Sequence, residues 1–288
     1  MAVITTGRGE IATPAPGAPR YGIFNAAVMG TLDSRMIASG ATWYPEDCGL
    51  AVATYDPTCA PGDNPEKVFD DTGVEFPETV PYWLLSTFQC GTVGTTADDV
   101  RRRVRKRYDA GAQHQVEETM WTGSGLAGVP ALTLAGATVI TPGAPGAGAA
   151  IAALEQAFFD LHGYVGVIHV NTAAYAAIDY AGILDSSAGV WRTTMGNAVS
   201  FGAGYGVTGP AGVAPAAGFV WAFITPQVYV WRTEVSQPDP VQTLDRVNNQ
   251  WMALAETVYM HGWVCDDVLA VQVPIAAPAV ATAPAVPV

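Results

Sequence analysis

The segment from Thr96 to Met120 constrains the fold more than any other part of the chain. Val100, Val104, Tyr108, Ala112, Val116 and Met120 recur every four residues, which winds one narrow apolar stripe slowly around a helix. Thr96 is a capping residue, and Asp98 and Asp99 fill a first turn where the helix dipole favours negative charge. About 25 residues at 1.5 Å each make a rod of roughly 37 Å. Gly111 weakens its middle by up to about 1 kcal/mol. A stripe this narrow lies along a sheet and leaves the opposite helix face exposed. That face carries Arg101, Arg102, Arg103, Arg105, Lys106 and Arg107, nearly half of the 13 lysines and arginines in a chain of net charge −13.

The bulk numbers bound what surrounds this helix. A chain of 288 residues is long for one core and short for two large ones, so an elongated or two-lobed body is expected. Half the residues are hydrophobic and only 14% are charged, against roughly 25% in an average globular protein. So little charge leaves apolar surface that a monomer cannot cover, and such surface usually meets partners. The acidic balance argues against a dedicated nucleic-acid binder and against adhesion to anionic lipid. The start, "MAVITTGRGEIATPAPGAP", lacks the pattern of a signal peptide. No apolar run reaches membrane-span length; the Ala-rich region around Ile151 to Phe159 is interrupted by Glu155 and Asp160. Cys48, Cys59, Cys90 and Cys265 form no CxxC pair, and His114, His162, His169 and His261 show no ligand spacing with them. They read as reduced, partly buried thiols of a cytoplasmic product, with no metal site.

Along the chain, residues 1–40 read as an extended arm, Gly-, Pro- and Ala-rich at first. "GLAVATYDP" (49–57) and "VPYWLLSTFQC" (80–90) suit two strands. Between them Asp63, Glu66, Asp70, Asp71, Glu75 and Glu78 stand against Lys67 alone. Two strands joined by so long an acidic tip make a projecting hairpin, and loops of that length are usually functional. After the helix, residues 122–148 are Gly-rich, with short strands expected in "ALTLAGATVI". Residues 149–162 form an amphipathic helix stopped at Gly163. "YVGVIHV" reads as a buried strand and "NTAAYAAIDYAGI" as a helix capped by Asn171 or Thr172. Residues 190–209 mix strand and turn. "GFVWAFI" and "QVYVWRTEV" are strands split by Thr225 and Pro226. "DPVQTLDRVNNQWMALAETVYMHG" reads as a helix or a helix–strand element, "VLAVQV" as a last strand, and the Pro/Ala-rich tail builds no core.

Catalytic and cofactor signatures are weak. Gly204, Gly206 and Gly209 spell GxGxxG, but Pro210 follows where a helix should open, so a turn between strands is the better reading. "TGSGLAG" lacks the spacing of a serine nucleophile elbow. Glu117 and Glu118 are helix neighbours that do not face one another, and Asp266–Asp267 reads as a solvated turn. An oligomeric hydrolase or transferase therefore has no residues to support it. The basic run has three readings: a nucleic-acid helix, a solvated face, or one side of a charged contact within an assembly. The last is favoured because the acidic tip complements it, and such complementarity sets register and partner choice.

The order of elements is similar to that of the tailed-bacteriophage major capsid proteins of Hong Kong 97 type, a fold shared with encapsulin compartments. "ALEQAFFDLHGYVGVIHVNTAAYAAI" resembles the helix–strand–helix of that family's axial domain. "TTMGNAVSFGAGYG" and "GFVWAFITPQVYVWRTEV" resemble its middle and late strands, and "NNQWMALAETVYMHGWVCDDVLAVQV" its closing peripheral segment. The resemblance implies an α+β fold with an N-terminal arm (1–40), an E-loop hairpin (41–90), a peripheral domain with a spine helix (91–125 and 240–273), an axial domain (126–239) and a C-terminal tail (274–288). It implies a non-enzymatic shell subunit, without cofactors, that builds hexamers and pentamers of an icosahedral capsid around double-stranded DNA. Its setting is the virion, assembled in the host bacterial cytoplasm, with portal, scaffold and decoration proteins as possible partners. An encapsulin-like shell, a dedicated pentamer protein or a tail protein is the alternative. Some members cross-link an E-loop lysine to a neighbour's asparagine; Lys67 is the only lysine in that region, and nothing selects an asparagine partner. The chain begins at the arm, which implies a separate scaffold or none. On this view the acidic tip lies near the basic helix of an adjacent subunit, and the rival is that the basic face looks inward at DNA.

Overall fold

The computed structural model describes residues 20–43, 48, 77–134, 136–187, 189–238, 244–265 and 267–275. The chain opens with α1 (Ile23–Ala26), β1 (Val28–Thr31), α2 (Ser34–Ser39), β2 (Ala41–Thr42), β3 (Glu78–Thr79) and β4 (Tyr82–Gly91). The long helix α3 (Ala97–Thr122) follows, then β5 (Thr138–Val139), α4 (Ala147–His162), β6 (Val167–Asn171) and α5 (Tyr175–Tyr180). The remainder is strand: β7 (Leu184–Ser187), β8 (Val190–Thr193), β9 (Ala198–Gly202), β10 (Phe219–Thr225), β11 (Val228–Arg232), β12 (Leu244–Asp245), β13 (Gln250–Trp263) and β14 (Leu269–Pro274).

The helix α3 forms where its stripe and caps dictate. The Thr96 hydroxyl accepts the Asp99 N–H while the Asp99 carboxylate accepts the Thr96 N–H, which satisfies two orphan donors at once. Gly123, left-handed at φ 70°, ends it. All six stripe residues from Val100 to Met120 are buried. The drift of a four-residue repeat against 3.6 per turn has a visible result. The first half of α3 buries one side only, whereas Gln113, Glu117, Thr119 and Trp121 are buried as well near its end, where α1 and the 203–209 loop close over it.

Two sheets flank this helix. The first runs β1–β11–β13–β12, with β4 also on β13. Its spine is β13, and here the structure corrects the sequence reading of a helix or helix–strand element. Gln250–Trp263 is one continuous strand, paired with β4 from Gln250↔Gly91 to Tyr259↔Tyr82 and with β11 from Arg232↔Tyr259 to Val228↔Trp263. Met252, Ala253, Leu254, Ala255 and Glu256 favour helix by a few tenths of a kcal/mol each. Ladder pairing on both sides overrides that preference. Burial in the structure follows the strand period: Ala253, Ala255 and Thr257 are buried while residues 252, 254 and 256 are less so.

The second sheet has the order β5–β14–β10–β6–β9–β8–β7, and both of its faces are covered. Ile168, Val170, Val199, Ala222, Ile224 and Val271 face α4 through Ile151, Leu154 and Phe158. Val167, Ala198, Trp221, Phe223 and Ala270 face the end of α3, where Trp121 meets Phe223 edge-on at 4.9 Å. A strand apolar on both faces, such as "GFVWAFI", is what such a central layer needs. Of the strands expected in "ALTLAGATVI", Thr138–Val139 is the one that forms among the described residues. The helix expected after Asn171 is a short 3₁₀ turn leading into α5, and Asn171 caps it by accepting the Ala173 N–H.

The cysteines need a second correction. Cys48 and Cys265, read as isolated reduced thiols, are joined in a disulfide across 217 positions with Cα atoms 5.7 Å apart. Spacing carries no information about a pair so distant; the chain path alone brings them together. Cys90 is a free thiol. The strand expected at 49–57, Cys59 and Lys67 lie outside the described residues.

Candidate assembly surface

The six cations stand on the first half of α3, and much of their charge is met within the chain. Arg102 pairs with Asp99 at 2.6 Å, and the Arg105 Nε donates to both oxygens of Asp109 at 2.9 and 3.0 Å. Hydrogen bonds from Thr96, with help from Arg102, hold the Asp99 carboxyl below its ordinary pKa. Arg107 donates to the Thr87 carbonyl at 3.2 Å, and the Arg103 guanidinium lies 5.9 Å from the centre of the Phe88 ring. Arg101 and Lys106 are half-buried. Exposed pairs of this kind contribute little to stability. They orient the cations more than they stabilise the fold, and with Asp98 also on the first turn a modest positive excess remains.

Of the acidic residues, Asp63, Glu66, Asp70, Asp71 and Glu75 lie outside the described residues. Glu78 is not at a tip. It stands in the small β2–β3 ladder, opposite Thr42, on the rim of a groove of about 600 Å³ lined by Leu126, Val129, Leu134 and Trp263.

The structure exposes a surface that the charge argument overlooked. Along β4, Tyr82 and Leu84 point at α3 and are buried, whereas Trp83 and Leu85 point away and remain 62% and 63% exposed. Their direct partners on β13 are Val258 and Glu256. On the same face Met252 is 42% exposed. Toward its other end this face is closed: Leu32, Met36 and Ile37 cover Val258, Met260 and Trp231, and the Trp43 ring packs at a tilt on Trp231 and Tyr229, with centroids 4.8–5.0 Å apart. The apolar face of the first sheet is thus half covered by its own chain and half open. At the open end two loop tips meet, the Thr92 N–H donating to the Asn249 carbonyl at 3.2 Å. They present Val93 and Val247 at 91% and 92% exposure. "YWLL" carried the signal, since a strand apolar on both faces expects cover on both.

Inside, several buried polar groups are tied into hydrogen bonds that join distant parts of the chain. Glu117 is fully buried. Its Oε1 accepts the Ile23 N–H at 3.1 Å and the Gln113 amide at 3.0 Å, and its Oε2 accepts the Gly204 N–H at 2.9 Å. Burial raises its pKa, and these hydrogen bonds partly hold it down. The GxGxxG run is a strap across α3. A Cβ on Gly204 would lie 2.0 Å from the His114 carbonyl oxygen, one on Gly206 2.8 Å from the Trp121 indole, and one on Gly209 2.2 Å from Trp221. The buried His169 lies 3.0 Å from the Tyr205 hydroxyl and 2.9 Å from Thr225 Oγ1. His261 lies 3.0 Å from the Tyr82 hydroxyl, and its Nε2 donates to the Pro130 carbonyl at 2.9 Å. Burial lowers the two imidazole pKa values to about 3 and about 4. Among the described residues no group of three or more His, Cys, Asp or Glu could hold a metal ion, and no helix is long and apolar enough to cross a membrane.

No protein-family model matches the chain, and no curated protein matches it. Solved structures do. The capsid of a native GTA particle aligns with a TM-score of 0.55 at 10% identity, over 94% of this chain and 96% of that one. The capsid of Ralstonia phage GP4 aligns at 0.53 and 13% identity, over 96% and 97%. A chain of Microbacterium phage Oxtober96 aligns at 0.52 and 14% identity, over 94% and 95%. The chain has the Hong Kong 97-type capsid fold. The likeness runs over nearly the whole of each aligned chain. The stretch 153–178, one of those quoted for the resemblance, supplies most of α4, all of β6 and most of α5.

Proposed function

We propose that this chain is a major capsid protein: the repeating, non-enzymatic subunit of an icosahedral shell around the double-stranded DNA of a tailed bacteriophage. The observation that carries this reading is the open apolar face of the first sheet, Trp83, Leu85 and Met252, in a chain with a capsid fold. Covering the part of Leu85 that is still exposed contributes on the order of 1–2 kcal/mol, and the larger Trp83 adds to it. A second copy is the occupant, because a shell lays the same surface against itself at every repeat and modest pair affinities then multiply.

Within this reading residues 1–40 are the arm, 41–90 the E-loop, 91–125 with 240–273 the peripheral domain, and 126–239 the axial domain. The acidic residues Asp63, Glu66, Asp70, Asp71 and Glu75 face the α3 cations of an adjacent subunit. Supporting this is the positive excess left on α3 once Asp99 and Asp109 are paired. If the cations face DNA instead, Arg→Gln changes spare empty shells and impair packaging alone.

Electron microscopy of the purified full-length chain tests the proposal. Closed shells or capsomer rings are expected. A monodisperse monomer at high concentration, correctly folded by circular dichroism, overturns it.

A further inference from the structure

The two ends of β13 differ in shape. Beside Gln250 stands the tip that carries Val93 and Val247, and it is built to hold its form. The Asp245 carboxylate accepts the N–H groups of Val247 and Asn248 at 2.9 and 3.2 Å and the Asn248 side-chain amide at 2.7 Å. The Trp251 indole N–H donates to the Thr95 carbonyl at 3.1 Å, which ties the two loops a second time beside the Thr92–Asn249 bond. The two valines therefore stand out of a fixed frame, with the exposed Arg246 next to Val247. At Trp263 the same strand ends in a hollow, the groove walled by Leu126, Val129 and Leu134. Glu78 is exposed on its rim and is the single charge among the described lining residues. The tip cannot reach the groove of its own chain: β13 spans Gln250–Trp263, and at about 3.4 Å per residue its ends lie roughly 40 Å apart.

We propose that the tip of one copy seats in the groove of a second copy, Val93 and Val247 against Leu126 and Leu134, with Arg246 against Glu78. Charge selects this occupant. The tip offers a cation beside its valines, the groove offers an anion beside its leucines, and such complementarity sets the register of a contact. Burying the valines removes apolar surface from water. Because the tip is already fixed by its own hydrogen bonds, little further ordering opposes the step. A hollow of about 600 Å³ is of the size that takes up small apolar groups. The contact joins two different surfaces, so it is head-to-tail and repeats from copy to copy until a ring or shell closes. It lies apart from the open face at Trp83 and Leu85, and it rests on the reading of the chain as a self-assembling subunit.

The test uses the full-length chain with Cys90→Ser, which removes the free thiol of β4. Val247→Cys and Leu126→Cys are made separately in that chain, mixed, assembled and oxidised with copper phenanthroline. Peptide mapping of the covalent dimer should find a link between positions 247 and 126. The mixture should cross-link at least about tenfold faster than either variant alone, since the contact raises the effective concentration of the two thiols. A 247–247 link in its place means that tips meet tips and overturns the proposal. A charge exchange gives a second reading that leaves both valines in place. Arg246→Glu and Glu78→Arg, both on exposed side chains, should each slow assembly at least about fivefold by light scattering, and the double variant should return to within about twofold of wild type. If the double variant stays as slow as the singles while all three are folded by circular dichroism, the pairing is wrong. Particles that form without the 247–126 link overturn this contact and leave the capsid reading standing, whereas a chain that never associates overturns both.

Discussion

Glu117 accepts the backbone N–H of Ile23, 94 positions earlier, at 3.1 Å. One buried carboxylate on α3 thereby holds the start of α1, and its other oxygen holds the glycine strap at Gly204. Glu117→Gln turns one accepting oxygen into a donor that faces an N–H. Hydrogen bonds to charged groups contribute about 1.5–3 kcal/mol, so a loss of about 2–3 kcal/mol in urea unfolding is expected. Glu118→Gln, on the exposed neighbour, should change stability by less than about 0.5 kcal/mol.

Acid should weaken the fold through its two deeply buried histidines. His169 titrates at about 3 and His261 at about 4 when folded, against about 6.5 unfolded. Between those values the unfolded chain binds more protons, so stability falls as pH drops below about 6.5 and continues to fall toward the folded values. The slope is about 1.4 kcal/mol per pH unit for each histidine. Burial of His162 acts in the same direction, and the raised carboxyl of Glu117 acts in the opposite one. Urea midpoints from pH 7 to pH 5 should fall, and His261→Gln should flatten the fall if the variant folds.

Two glycines on or against α3 should answer alanine with opposite signs. Gly111 is exposed within the helix and a Cβ there meets nothing within 4 Å. Gly111→Ala should therefore stabilise by about 0.5–1 kcal/mol. Gly204→Ala drives a methyl to 2.0 Å from a backbone oxygen and should unfold the strap or the protein. Thermal melts of both variants decide the point.

The two faces of β4 should separate folding from assembly. Leu84→Ala, facing α3, should cost about 2–5 kcal/mol of subunit stability. Trp83→Ser with Leu85→Ser, on the open face, should leave the unfolding midpoint within about 0.5 kcal/mol. Light scattering should then show assembly weakened by more than tenfold. If that variant assembles normally, the open face is not a subunit contact.

What the sequence settled by itself was local. The stripe, the Thr96 cap and the stop at Gly163 wrote α3 and α4 nearly to the residue, because a helix closes its hydrogen bonds within four positions. The apolar run of β10 likewise marked a strand. Tertiary structure alone decided the strand state of β13, the glycine strap, the Glu117 clasp and the Cys48–Cys265 bond. Each depends on partners tens to hundreds of positions away, and no spacing rule reaches that far: such pairs exist only once the whole chain has closed upon itself.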